Sequence, residues 1–212
     1  PELSTGKNEV MVIYKNLINA IALSGGIPIG ITPTDLQTYY GKDITNTKKT
    51  NFKDMKKMID MCDGIILQGG DDFYDYDLKV IEYCYKIDKP TLGICLGMQT
   101  MGYKFNGELI EITNHNFKGK KYVHKINLKN NSKLFSILSK TNFMVNSHHS
   151  YALNKTDLSI SANSSDGIIE AIEDKNKRFF IGIQWHPESM IEYDELSKKL
   201  FKKYIKTCKK DN

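Results

Sequence analysis

Pro90-Thr-Leu-Gly-Ile-Cys-Leu-Gly-Met-Gln99 is the stretch on which the fold turns. Its first half is a short apolar strand and its second half opens a helix, with Cys95 at the joint and Gly93 and Gly97 two residues to either side. A sharp strand-to-helix turn strains the residue at its apex and brings neighbouring backbone close, so the flanking positions call for glycine. Such a nucleophile elbow presents a thiol at a helix N-terminus, whose unpaired amides favour negative charge. The same spacing suits a small hydrophobe closing a buried strand, and this stretch alone leaves both readings open.

Outward from the elbow, short apolar strands alternate with helical patterns, as in a parallel sheet covered on both faces. Tyr14–Ser24 has a helical apolar period and stops at Gly25-Gly26. Ile27–Ile31 reads as a short buried strand, Lys53–Met61 as a helix, Gly64–Leu67 as a strand and Leu78–Tyr85 as a helix. The polar stretch Thr34–Asn51 is a long loop, of a length found both in lids and in variable surface. Beyond Glu108 the texture changes to short mixed segments: strands at Tyr122–Leu128 and Phe143–Asn146, with a helical turn at Leu134–Leu138. Antiparallel edge strands are expected there. Ile168–Glu173 and Phe179–Trp185 pair across the polar turn Asp174–Lys177, and Tyr193–Cys208 closes the chain as an amphipathic helix. The fold class is therefore α/β, a mostly parallel central sheet with helices on both faces and an antiparallel edge extension. No repeat or linker interrupts it, so residues 1–212 are expected to form a single domain.

Composition agrees with an ordinary globular protein: 40% hydrophobic and 26% charged residues exclude collagen-like and disordered classes. The net charge of +5 rests on 30 basic residues of which Arg178 alone is arginine, and many lysines crowd the C-terminal helix as a solvated face. Phosphate and base recognition favours arginine forks, so no nucleic-acid partner is expected. No apolar run reaches the roughly 18–20 residues that span a bilayer, and Pro1–Val10 lacks signal-peptide character, so a cytoplasmic protein without a membrane partner is expected. Cys62, Cys84, Cys95 and Cys208 contain no C-x-x-C pair, so neither a zinc site nor a disulfide framework is expected.

Two further motifs bear on Cys95. In Gln184-Trp-His-Pro-Glu188, at the end of a strand, positions two apart share a side, so the Glu188 carboxylate can orient the His186 imidazole. Cysteine, histidine and carboxylate then form a catalytic set: His186 relays the proton and Glu188 fixes its tautomer. In Gln68-Gly-Gly-Asp71, the N–H of Gly70, paired with that of Leu96, would face a developing oxyanion. Alone, the first motif also fits a proline-initiated turn and the second a tight turn.

Taken in order, Gly69-Gly70-Asp71, Pro90–Gln99, Val145–His149, Asp166–Glu173 and Gly182–Glu188 resemble the class I glutamine amidotransferase superfamily, in its γ-glutamyl hydrolase-like (peptidase C26) branch that includes γ-glutamyl-γ-aminobutyrate hydrolase. The resemblance runs from about Tyr14 to the end of the chain. It implies a flavodoxin-like core and cleavage of a γ-glutamyl amide through a thioester, with Cys95, His186 and Glu188 as the catalytic residues and no cofactor or metal. By position in the motifs, Gln99, Gly69, Asn146, Ser147 and His148 would line the substrate pocket. His148 and His149 invite a metal reading, but adjacent strand residues point apart and no carboxylate or cysteine cluster is expected to accompany them. Val10–Ile13 takes the place of the family's opening strand, and Leu96 and Ser150 stand where the hydrolase branch often has Arg and Gln. The expected substrate is a small γ-glutamyl amine or peptide. Self-association as a homodimer fits this reading, and a second reading, as the glutaminase component of a two-part enzyme, adds a synthase partner.

Overall fold

The computed structural model describes residues 2–4, 10–33 and 52–209, so the loop expected at Thr34–Asn51 lies outside the described residues. The elements are β1 (Glu2–Ser4), β2 (Val10–Val12), α1 (Lys15–Leu23), α2 (Phe52–Asp60), β3 (Ile65–Leu67), α3 (Asp75–Lys86), β4 (Thr91–Ile94) and α4 (Leu96–Lys104). There follow β5 (Glu108–Glu111), β6 (His124–Leu128), α5 (Lys133–Leu138), β7 (Asn142–Val145), β8 (Tyr151–Lys155), β9 (Ser159–Ser164), β10 (Ile169–Glu173), β11 (Phe180–Ile183) and α6 (Glu195–Cys208).

A seven-stranded sheet in the order β3-β4-β11-β10-β9-β6-β7 forms the centre. The β3-β4-β11 block pairs in parallel and the remaining pairs are antiparallel, which leaves β3, β4, β11, β9 and β7 all running the same way. Every residue of β4, β10 and β11 is buried, as strands covered on both faces require. One face packs on α1, α5 and α6 through Leu17, Ala20, Leu134, Leu200 and Phe201; the other packs on α2, α3 and α4 through Met55, Ile59, Ile81, Met98 and Met101. The α/β class with helices on both faces is thus the observed one. Among the described residues no helix is long and apolar enough to cross a membrane.

Local chemistry sets the helix limits. After α1, Gly25 takes φ +83° and the amides of Gly25 and Gly26 return to Ala22 O and Ile21 O, a glycine C-cap. At α6 the Asp194 side chain accepts from the Ser197 amide at 2.7 Å. Ser132 caps α5 in the same way, and the buried Glu173 carboxylate of β10 accepts the Lys133 and Leu134 amides at 2.7 and 3.0 Å.

Two parts of the fold differ from the sequence expectation. Ile27–Ile31 is not a buried strand: the segment has no ladder partner among the described residues, and Ile27 is 88% exposed. It lines an apolar cleft of about 640 Å³ that runs along β3 and reaches the elbow only at Gly70, Leu96 and Gly97. Short apolar runs do not distinguish a sheet strand from a cleft wall. Conversely, β9 joins β10 to β6 although its sequence, Ser-Ile-Ser-Ala-Asn-Ser, is mostly polar. The β5–β8 pair forms a separate two-stranded sheet over α4.

Candidate active site

Cys95 follows the last residue of β4 and stands as N-cap of α4, with φ 51° and ψ −106°. A non-glycine residue held there costs on the order of 1–3 kcal/mol and persists only where its surroundings impose it. Here they do. The Cys95 amide donates to Ile183 O of β11 at 2.8 Å and its carbonyl accepts the Gln99 amide at 3.0 Å. The flanking glycines are required by close approach: a Cβ on Gly93 would lie 2.7 Å from the Gly97 carbonyl carbon, and one on Gly97 would fall on the Leu67 carbonyl. Cys95 itself is buried, with its sulfur 4.0 Å from the His148 carbonyl oxygen.

β11 runs parallel to β4 and delivers His186 to the same edge of the sheet. His186 Nδ1 lies 2.7 Å from Glu188 Oε1. With the carboxylate as acceptor, Nδ1–H donates and Nε2 is left for the cysteine side. Burial opposes a charged His186, but the Glu188 carboxylate and the adjacent Cys95 outweigh it and hold the imidazole well above its usual pKa. Gly69 sits against both residues: a Cβ there would be 2.9 Å from His186 Cε1 and 3.5 Å from Cys95 Cβ. The structure therefore brings Cys95, His186 and Glu188 together at the ends of two neighbouring parallel strands. Leu96 directly follows Cys95, and Gly70 directly follows Gly69; both line the apolar cleft beside the elbow. As the first residue of α4, Leu96 has an N–H outside the helical ladder.

The expected substrate-binding residues separate into two groups. Gly69 and the exposed His148 lie beside the cysteine; the His148 ring is 6.2 Å from that of His186, and burial followed by the charge of His186 lowers its pKa. Gln99, Asn146 and Ser147 are buried, and bonds within the protein occupy their side chains. Asn146 clamps the His186 backbone, donating from Nδ2 to His186 O at 2.9 Å and accepting the His186 amide on Oδ1 at 2.8 Å. Gln99 Nε2 donates to Tyr151 O at 2.7 Å and to Gln184 Oε1 at 3.2 Å, and Ser147 Oγ donates to His115 O at 2.5 Å. These three side chains hold the walls of the site, because each finds a protein partner in the interior. Gln184, which sequence reasoning missed, donates from Nε2 toward Cys95 Sγ at 3.5 Å. Its signal is the two-residue spacing from His186 in the segment that leaves β11.

A second polar cluster lies behind the 146–150 segment. Glu170 of β10 is fully buried, and its Oε1 lies 3.0 Å from His124 Nε2, 3.7 Å from His115 Nδ1 and 3.9 Å from His149 Nε2. A carboxylate thus accompanies His149 after all, supplied from a distant strand and invisible to local spacing. Burial lowers the His149 pKa to about 3, so the ring is neutral.

The family model described as Peptidase C26 matches residues 74–188, more than half of the chain, and includes Cys95, His186 and Glu188. A glutamine amidotransferase-like protein of Rickettsia prowazekii (strain Madrid E) is 29% identical, over 93% of this chain and 89% of its own length. A GMP synthase [glutamine-hydrolyzing] of Francisella tularensis subsp. holarctica is 35% identical over 67% of this chain, a match that spans 27% of that longer protein. Among solved structures, a GMP synthase component from Thermoplasma acidophilum superposes with TM-score 0.67 at 20% identity, covering 92% of this chain and 87% of that one. The glutaminase domain of Trypanosoma brucei CTPS with bound acivicin gives TM-score 0.69 at 18% identity, covering 91% and 86%. At these identities the two structures bear on fold alone, and they share the architecture described above.

Proposed function

The chain belongs to the peptidase C26 family, of the class I glutamine amidotransferase-like type, and from that premise we propose that it hydrolyses the γ-glutamyl amide bond of a small γ-glutamyl amine or peptide, such as γ-glutamyl-γ-aminobutyrate. The observation that carries this reading is the strained Cys95 elbow beside the His186–Glu188 pair. Cys95 Sγ attacks the γ-carbonyl carbon, and the Gly70 and Leu96 amides receive the oxyanion, an interaction worth roughly 10²–10³ in rate per donor. The tetrahedral intermediate collapses with cleavage of the C–N bond, and the His186 imidazolium gives its proton to the departing amine. A water then adds to the γ-glutamyl thioester with His186 as base, and glutamate leaves as Cys95 is regenerated. Glu188 keeps the imidazole in one tautomer throughout. Asn146 and Gln184 position His186 and Cys95, and His148 faces the substrate.

A second reading is favoured by the similarity to GMP synthase sequences: a glutaminase that releases ammonia from glutamine for a separate synthase. Both readings share Cys95 and the thioester and differ in the leaving group. Glutamate release by the purified protein from γ-glutamyl-γ-aminobutyrate, other γ-glutamyl amines and glutamine, beside a Cys95→Ala control, separates them. Cys95-dependent turnover of a γ-glutamyl amine with glutamine poor supports the hydrolase. Turnover of glutamine alone, or only with an added synthase, supports the ammonia-supplying glutaminase.

A further inference from the structure

The second polar cluster has features that its hydrogen bonds do not account for. Four segments converge on it: the loop carrying His115, strand β6 with His124, the 146–150 segment with His149, and strand β10 with Glu170. Two outer bonds settle which ring atoms face inward. His115 Nε2 lies 2.9 Å from Asp166 Oδ2 and His149 Nδ1 lies 3.1 Å from Tyr151 O. A carboxylate and a carbonyl only accept, so each of those nitrogens carries the proton and the opposite nitrogen turns a lone pair toward Glu170. His115 Nδ1, His149 Nε2 and Glu170 Oε2 are buried without a hydrogen-bond partner among the described residues. Acceptors that converge in the interior without donors are costly, and His124 Nε2, 3.0 Å from Glu170 Oε1, supplies at most one proton to them.

A divalent cation removes that cost. Tetrahedral zinc with bonds of about 2.0–2.1 Å has ligand-to-ligand edges of roughly 3.3 Å, and His124 Nε2 and His115 Nδ1 lie 3.0 and 3.7 Å from Glu170 Oε1. The ligand atoms of His115, His124 and Glu170 all lie within 4.8 Å of one another. The Asp166–His115 and Tyr151–His149 bonds are outer-shell contacts of the kind that orient metal-bound imidazoles. Imidazole with one carboxylate suits zinc over the hard, oxygen-seeking cations.

We propose that His115, His124 and Glu170, with His149 at the margin, form a structural site for a divalent transition metal of the zinc class, which fastens the His115 loop, and through its bonds to Ser147 and His149 the 146–150 wall of the active site, to β10. His115 and Glu170 are buried and His124 nearly so, so the ion holds the wall from behind, away from the substrate side. The link to the catalytic residues is short: Asn146, which clamps the His186 backbone, and His148, whose carbonyl faces Cys95, both belong to the fastened segment.

The test is metal binding by the full chain carrying Cys95→Ser, which removes the reactive thiol as a competing ligand. The protein is stripped with chelator, reconstituted with ZnSO4 or CoCl2, and dialysed; bound metal is measured by elemental analysis and the cobalt form by visible absorption. One equivalent of zinc is expected, with the visible bands of tetrahedral cobalt and a Tm rise of about 5–10 °C at zinc near a hundred times its Kd. The nearly isosteric Glu170→Gln and the peripheral His124→Ala should each remove the cobalt bands and the zinc-dependent Tm rise. Absence of stoichiometric metal from the reconstituted protein overturns the proposal and leaves the cluster a proton-sharing network. Bands and stoichiometry unchanged in both variants overturn it as well, by placing the ion elsewhere.

Discussion

Gly69→Ala tests the packing of the catalytic pair without touching a charged group. Gly69 does not sit at positive φ, so its backbone accepts alanine, and the added methyl meets Cys95 Cβ at an ordinary 3.5 Å. Against His186 Cε1 the distance is 2.9 Å, about half an ångström short of ordinary contact. The imidazole cannot absorb that freely, because Glu188 holds Nδ1 at 2.7 Å and Asn146 holds the His186 backbone on both sides. The ring must tilt, moving Nε2 relative to the sulfur. A misplacement of about 1 Å costs up to 10²-fold, so half that shift should lower kcat/KM about 10-fold or somewhat more, near 1.4 kcal/mol of transition-state stabilisation. Glutamate release gives one readout and the rate of Cys95 alkylation by iodoacetamide, which needs no substrate, gives another. Both should fall while Tm changes little. An alanine variant within about twofold of wild type in both assays refutes the packing argument.

Glu188→Gln keeps the shape but removes the charge that sustains the His186 imidazolium; kcat should drop by roughly 10²–10⁴, and the imidazole proton resonance should titrate at lower pH than in wild type, as NMR would record. In alkylation near neutral pH followed by peptide mapping, Cys95 should label first: burial raises the Cys62 thiol and pushes those of Cys84 and Cys208 up to about 12 and about 11. Glu173→Ala strips two amide partners from the start of α5 and should cost about 2–3 kcal/mol by denaturant melts, with catalytic rates of the folded fraction unchanged. Asn146→Ala frees the His186 backbone while leaving Cys95, His186 and Glu188 in place; it should reduce kcat more than it alters KM, whereas equal loss in a KM-only pattern would argue for direct substrate contact.

What the sequence makes legible is whatever is written in neighbouring residues. Gly93, Gly97 and Cys95 announce the elbow because the close approaches that demand glycine are set within one turn of chain. His186 and Glu188 are two apart in sequence, so the pair is legible locally, although Glu188 reaches the imidazole from a 3-10 turn (Pro187–Ser189) and not from the strand. Roles that depend on distant partners are not legible in this way. That Asn146 clamps the His186 backbone, and that Gln99 gives its amide to Tyr151 and Gln184, depends on segments far off in the chain. Glu170 lies within an apolar strand, and only the sheet order β10-β9-β6 brings His124 to it. Hydrophobicity misleads at Ile27–Ile31, where an apolar run has no strand to pair with among the described residues, and at β9, where a polar run has two.

The central claim is that Cys95 carries the acyl group. Intact protein turning over a γ-glutamyl amide, quenched in acid and digested for mass spectrometry, should show a glutamyl adduct on the peptide containing Cys95, absent from Cys95→Ala and lost on treatment with hydroxylamine. Steady turnover with no adduct at Cys95, or a Cys95→Ala variant as fast as wild type, would contradict the account.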